Sequence, residues 1–276
     1  MEKNESLSAA DAAKAVESGA GAIGAIIKAA GYDPNARAAG GELGKAALTM
    51  TRAINVSLLP LAAVNFGYVK ARKYFEERFQ ADLQGRAKNI PAENIVEPKP
   101  SIAGPALQGL AFSHDEPDLK ELYLNLLGSA MNSETAAKAH PAFVEIIRQL
   151  SSEDARIAST VLRMGVRLPI VEIRRRTEGT AYLTLLSHVM NFTSNNLPKE
   201  NPSMAATVDN WVRLGLFTVD YDKWLTEEAQ YAWVELRPEL QRLRLEQGEQ
   251  ADSVQYQKGV LQRTALGTQF AVTVLP

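Results

Sequence analysis

Four prolines, Pro91, Pro98, Pro100 and Pro105, fall within fifteen positions near the middle of the chain. Proline lacks a backbone N–H and its ring clashes with the preceding turn, so no regular helix runs through such a set. The stretch KNIPAENIVEPKPSIAGPALQGLAF therefore reads as an extended, ordered connector. It ends in a helix whose first turn tolerates Pro105.

Helical patterns flank this connector. On its N-terminal side, Tyr68, Phe75, Phe79 and Leu83 recur near helical spacing through KARKYFEERFQADLQGRAK. This predicts an amphipathic helix with one aromatic stripe and a charged opposite face. On its C-terminal side, Leu119, Leu122, Tyr123, Leu126 and Leu127 make the apolar stripe of a helix over 118–131. HPAFVEIIRQL, at 140–150, predicts a helix with Pro141 at its first position. SSEDARIASTVLRMG predicts another, with Ser151 as N-cap and Asp154 completing a weaker capping box.

The rhythm changes after 165. VEIRRRTEG and TAYLTLLSHVMNF predict two short helices, or a helix after a turn. MAATVDNWVRLGLFTVDY predicts a helix ending near Gly215, then a short strand. A strand over 259–263 and a final helix capped by Thr264 follow. Helix, Leu-Gly-Leu turn, strand, spacer, strand and helix is a pattern common in winged-helix domains. The expected fold class is mostly α: helical N-terminal and central parts, then a winged-helix-like part with a small β wing. The expected organisation is an Ala/Gly-rich, loosely helical or partly disordered segment over 1–43. A helical core over 44–150 contains the connector 90–105, and the winged-helix-like part covers 151–276.

Composition removes several function classes. With no cysteine among 276 residues, there is no disulfide, thiolate nucleophile or cysteine-based metal site. The formal net charge of −2 gives no global attraction to nucleic acid or an anionic membrane. The N-terminus lacks the basic and apolar runs of a secretory signal, so a cytoplasmic location is expected. Ala53 to Val69 are uncharged, but they fall short of the roughly 20 residues a spanning helix needs. Pro60 should kink that segment. Packing of 44–69 into the core is expected, with membrane insertion on activation as the alternative.

No residue set supports catalysis or a cofactor. His114, His140 and His188 have no metal-ligand spacing. His114 reads as a turn residue beside Asp115 and Glu116, His140 as a helix-start residue, and His188 as a hydrogen-bonded residue in an apolar helix. GAGAIG at 19–24 matches G-x-G-x-x-G, but no strand pattern precedes it. Glu76–Glu77 and Glu227–Glu228 are adjacent on helices and so do not converge on one atom.

Three blocks of uncommon residues remain: IPAENIVEPKPSIAGPALQGL at 90–110, LYLNLLGSAMN at 122–132 and HPAFVEIIRQLSSEDA at 140–155. In this order they resemble the Abi-alpha family of bacterial abortive-infection proteins. The resemblance extends more weakly through Trp211 to Leu216 and Thr264 to Phe270. It implies a role in defence against bacteriophage and supplies no catalytic residues. A non-enzymatic protein is expected, acting through a protein partner or a second copy of itself, with no small-molecule substrate implied. The candidate partner-binding residues are Pro91, Asn94, Pro98, Pro100, Gly104 and His140. Read from chemistry alone, the prolines stiffen the connector and Gly104 permits close approach or positive φ. The alternative is a nucleic-acid-binding regulator, in which Arg174, Arg175 and Arg176 contact phosphates or an interface.

Overall fold

The computed structural model describes residues 65–275 apart from 178 and 196, together with eight positions between 45 and 56. The readings for 1–43, for Gly19 to Gly24 and for Pro60 lie outside the described residues. So does half of 44–69. Of that segment, Ala46 and Met50 are buried helical residues, and Thr49 Oγ1 donates to Glu97. Among the described residues, no helix is long and apolar enough to cross a membrane.

The chain is mostly α, with a four-stranded antiparallel sheet. It divides into two compact units, one running to Ile157 and including Gln269–Pro276, the other Ala158–Thr268.

The first unit is helical. α1 (Asn65–Glu77) and α2 (Phe79–Ala87) replace the single helix expected there, because Arg78 breaks the line at φ −122°, ψ −36°. Phe75, Phe79 and Leu83 are buried as the aromatic stripe requires. Opposite them, Arg72 pairs with Glu76 and Lys73 with Glu77 at i, i+4. Glu76 and Glu77 thus lie along the exposed face and do not converge.

The connector is held by backbone pairing. Asn94 O accepts from the Ser133 N–H at 2.8 Å, and the Val96 N–H donates to Met131 O at 2.9 Å. α3 (Pro100–Ser113) then starts a turn earlier than expected, with Pro100 in its first turn and Pro105 inside it. Pro105 withholds only the donor that Ser101 O would take, and exposed Ser101 leaves that carbonyl open to water. α4 (Pro117–Ala130) buries the predicted leucine stripe. α5 (Ala142–Arg148) and α6 (Ser152–Met164) follow. The capping box before α6 is reciprocal: the Asp154 N–H donates to Ser151 Oγ at 3.1 Å, and the Ser151 N–H to Asp154 Oδ2 at 3.3 Å. Two α4 side chains cap the end of the chain. Asn125 Nδ2 donates to Val274 O at 2.9 Å, and Ser129 Oγ to Thr273 O at 2.7 Å.

The second unit is built on the sheet β2–β1–β6–β5. β1 (Arg167–Arg176) and β2 (Tyr182–Val189) occupy the segments expected to be helices. β1 lies between two neighbours, and Ile170 to Ile173 are buried on both faces. A strand covered on both sides loses period-two alternation, which is why the sequence pattern misleads. Two short strands, β3 (Thr193–Ser194) and β4 (Leu197–Pro198), pair with each other. α7 (Met204–Arg213) ends at Leu214 and Gly215, whose φ of +73° makes the turn glycine permits. β5 (Phe217–Asp220) then pairs with Val260–Arg263 of β6 (Val254–Arg263). α8 (Pro238–Gln247) lies between them in sequence. α9 (Ala265–Val274) begins where Thr264 Oγ1 accepts the Gly267 N–H at 2.8 Å, the predicted cap. Val171, Ile173, Val189, Tyr231, Val234, Leu240 and Val254 form one core cluster of this unit.

Candidate ligand cleft

α3, α4 and α5 do not close completely on one another. Between them and the Ser151–Ser152 start of α6 lies a cleft of about 520 Å³. That is within the range of small-molecule sites. Its walls are apolar where α4 and α5 contribute Leu119, Val144 and Ile147. On the α3 side stand Gln108, Gly109 and Phe112, the last 56% exposed.

Tyr123 is the distinctive residue. It lies on the buried stripe of α4, and its side chain crosses α3 at Gly109. A Cβ there would sit 2.3 Å from Tyr123 Cζ and 2.4 Å from the hydroxyl oxygen. Only glycine lets the ring lie against the helix backbone in this way. Tyr123 is 2% exposed and lines the cleft. Among the described residues, no protein group hydrogen-bonds its hydroxyl. Burial pushes this phenol up to about 12. Arg148 opposes the shift and Glu145 adds to it. The hydroxyl is therefore neutral at physiological pH, able to donate once and accept twice.

The charges at the cleft are partly compensated. Arg148 donates to Glu145 one turn away. The carboxylate of Glu116, in the loop before α4, has no partner among the described residues. Gln108 likewise keeps an amide free to donate and accept.

The residues singled out from sequence fall in different places. Pro91 and Pro100 are exposed, whereas Pro98 is buried. Asn94 Nδ2 donates to Glu134 Oε1 at 3.2 Å, beside the isolated bridge Ile95↔Asn132. Gly104 lies inside α3, where a Cβ would meet nothing within 4 Å and φ is not positive. It therefore serves neither close approach nor a left-handed turn. His140 is exposed, and its Nδ1 accepts the Ala142 N–H at 3.1 Å, capping the start of α5. None of these six lines the cleft. His114 follows α3 and stacks on Tyr74 at 5.1 Å, with Nδ1 3.1 Å from Ala111 O.

The three arginines of β1 alternate in direction, as strand geometry requires. Arg174 Nε donates to Glu172, and its guanidinium lies 5.9 Å from the Tyr182 ring. Arg175 points the other way and donates to Gln247 Oε1 at 2.9 Å. Arg176 is exposed at the strand end. They do not form one basic face. Among the described residues, no cluster of three or more acidic or histidine side chains could hold a metal.

The blocks 90–110, 122–132 and 140–155 converge on the cleft, which takes Gln108 and Gly109 from the first, Tyr123 from the second and Val144 to Ser152 from the third. A model of the family described as abortive infection alpha matches residues 71–274. The chain belongs to the abortive infection alpha family. No curated protein and no solved structure matches it. In this family member the cleft is assembled from the same segments that carry the sequence resemblance.

A second cluster was missed from sequence. His188, expected in a helix, is on β2 at a bulge. Ser187 and His188 fall in the register shift between the Val171↔Val189 and Ile173↔Leu186 pairs. His188 takes φ +59°, which is uncommon for a residue with a side chain. Tyr221 holds it there. The Tyr221 hydroxyl accepts the His188 N–H at 3.0 Å and lies 2.9 Å from Nδ1, while Nε2 lies 3.1 Å from Asp209 Oδ1. If Tyr221 donates to Nδ1, Nε2 carries the proton directed at Asp209.

Proposed function

We propose that the chain is an anti-phage abortive-infection protein that acts by recognition and not by covalent chemistry, with the cleft over Tyr123 as its recognition site. The family membership supports the defence role. The observation that carries the placement is the Tyr123 hydroxyl, which has no protein partner among the described residues and faces the open space of the cleft from an otherwise buried side chain. A hydroxyl left open between apolar walls can bond a ligand in place of water. Occupancy of the cleft is then relayed to a partner protein or a second copy of the chain.

The nucleic-acid alternative has less support. Arg174 is engaged by Glu172 of its own strand and Arg175 by Gln247 of α8, and they point to opposite faces, so a phosphate backbone meets no single surface. The membrane alternative depends on release of 44–69, from which Ala46 and Met50 are buried.

The test is protection in the native gene context, with the wild type and Gln108→Trp challenged by a phage panel. Gln108 is a half-buried helix residue on the cleft wall, so the indole should fill the space with little change in folding. Loss of protection with unchanged protein level supports the reading. Full protection by Gln108→Trp contradicts it.

A further inference from the structure

We infer that the cleft binds a neutral heteroaromatic molecule of the nucleobase or nucleoside class, in preference to a nucleotide. This rests on the reading of the cleft as the recognition site and names its ligand.

Three features of the lining lead there. Tyr123 and Gln108 each present a group that both donates and accepts, and neither has a protein partner. Such a pair fits a ligand edge on which donors and acceptors alternate, as on a nucleobase. Aliphatic walls and the exposed ring of Phe112 offer flat apolar surface for a planar ring. Proteins that read an unstacked base combine these two elements, edge hydrogen bonds and aromatic or apolar packing.

The third feature is charge. The lining holds two carboxylates, Glu116 and Glu145, and one guanidinium, Arg148. Arg148 already donates to Glu145, so the surplus is negative. The N-terminus of α6 also opens here, a place where backbone N–H groups favour anions. Glu153 and Asp154 in its first turn oppose that. A phosphate in the cleft therefore meets carboxylates and little free positive charge.

The test uses the purified full chain and isothermal titration. Adenosine, guanosine, cytidine and uridine are compared with their 5′-monophosphates, on the wild type, Tyr123→Phe and Gln108→Leu. The expected result is measurable binding of at least one nucleoside, with its monophosphate about ten-fold weaker or more. Each variant should weaken the nucleoside about ten-fold, with its thermal midpoint close to wild type. No nucleoside binding at the solubility limit overturns the inference and leaves the cleft to water or to a partner's side chain. Monophosphates binding as tightly as nucleosides, or more tightly, overturns it in favour of an anion site. Wild-type affinity in both variants places the nucleoside elsewhere and also overturns it. Failure here together with loss of protection in Gln108→Trp removes the ligand class but not the cleft's role. Nucleoside binding with full protection in Gln108→Trp removes the role but not the ligand.

Discussion

The helical unit and the sheet unit each lay a tyrosine across a glycine, and the two phenols are treated in opposite ways. Tyr123 crosses Gly109, and Tyr221 crosses Gly259, where a Cβ would sit 2.5 Å from Tyr221 Cδ1. In both, a missing side chain lets an aromatic ring approach backbone. The Tyr221 hydroxyl is matched by the His188 N–H and imidazole, and its ring stacks on that imidazole at 6.0 Å. It fastens a strained bulge. The Tyr123 hydroxyl has no such partner and opens on a cleft.

The sheet unit shows the same tendency elsewhere. Arg237, 1% exposed, donates twice to Glu239, at 3.0 and 2.6 Å, and to the carbonyls of Phe192 and Lys199. Trp211 Nε1 and Arg263 Nε are buried without partners, but neither lines the cleft. Buried polar groups in the sheet unit mostly hold structure together. The Tyr123 hydroxyl, facing the helical unit's cleft, is left available.

Substitutions at these contrasting sites can break or sharpen the comparison. Arg237→Met strands the Glu239 carboxylate and should cost about 3–5 kcal/mol in urea unfolding, much of it recovered by adding Glu239→Leu. Recovery should fail if the pair's hydrogen bonds to Phe192 O and Lys199 O matter more than its charges. Gly109→Ala and Gly259→Ala should each cost about 1–3 kcal/mol, because the ring beyond the glycine has to move. A neutral result at either position means the ring does not lie where the structure puts it. Tyr221→Phe removes a made hydrogen bond and should cost about 1 kcal/mol. Ser151→Ala, the cap of α6, should cost about the same. Tyr123→Phe should change stability by less than about 0.5 kcal/mol, since no protein bond is lost.

Local signals in the sequence were reliable where one residue decides the backbone. Ser151 with Asp154, Gly215 and Thr264 mark element ends, and each does what its chemistry predicts. The leucine stripe of α4 was legible for the same reason, since a half-buried helix shows its period. β1 was not legible. IVEI is covered on both faces, and the arginines after it look like an exposed helix surface. Only pairing with β2 and β6 makes the segment a strand. The cleft was hidden for a different reason. Tyr123 reads as one more apolar stripe residue, and nothing local says that its hydroxyl lacks a partner. That fact depends on where α3, α5 and Ser152 end up around it. Pro91, Pro98, Pro100 and Gly104 are unusual in sequence, yet they shape the connector and α3 without lining the cleft.

Tyr123→Phe, read out by unfolding free energy and by phage protection in the same strain background, tests the central claim most directly. The expected result is stability within about 0.5 kcal/mol of wild type together with a clear loss of protection. Full protection without the hydroxyl, or a stability loss above about 1 kcal/mol, would show that Tyr123 is a structural residue like Tyr221 and would contradict the account.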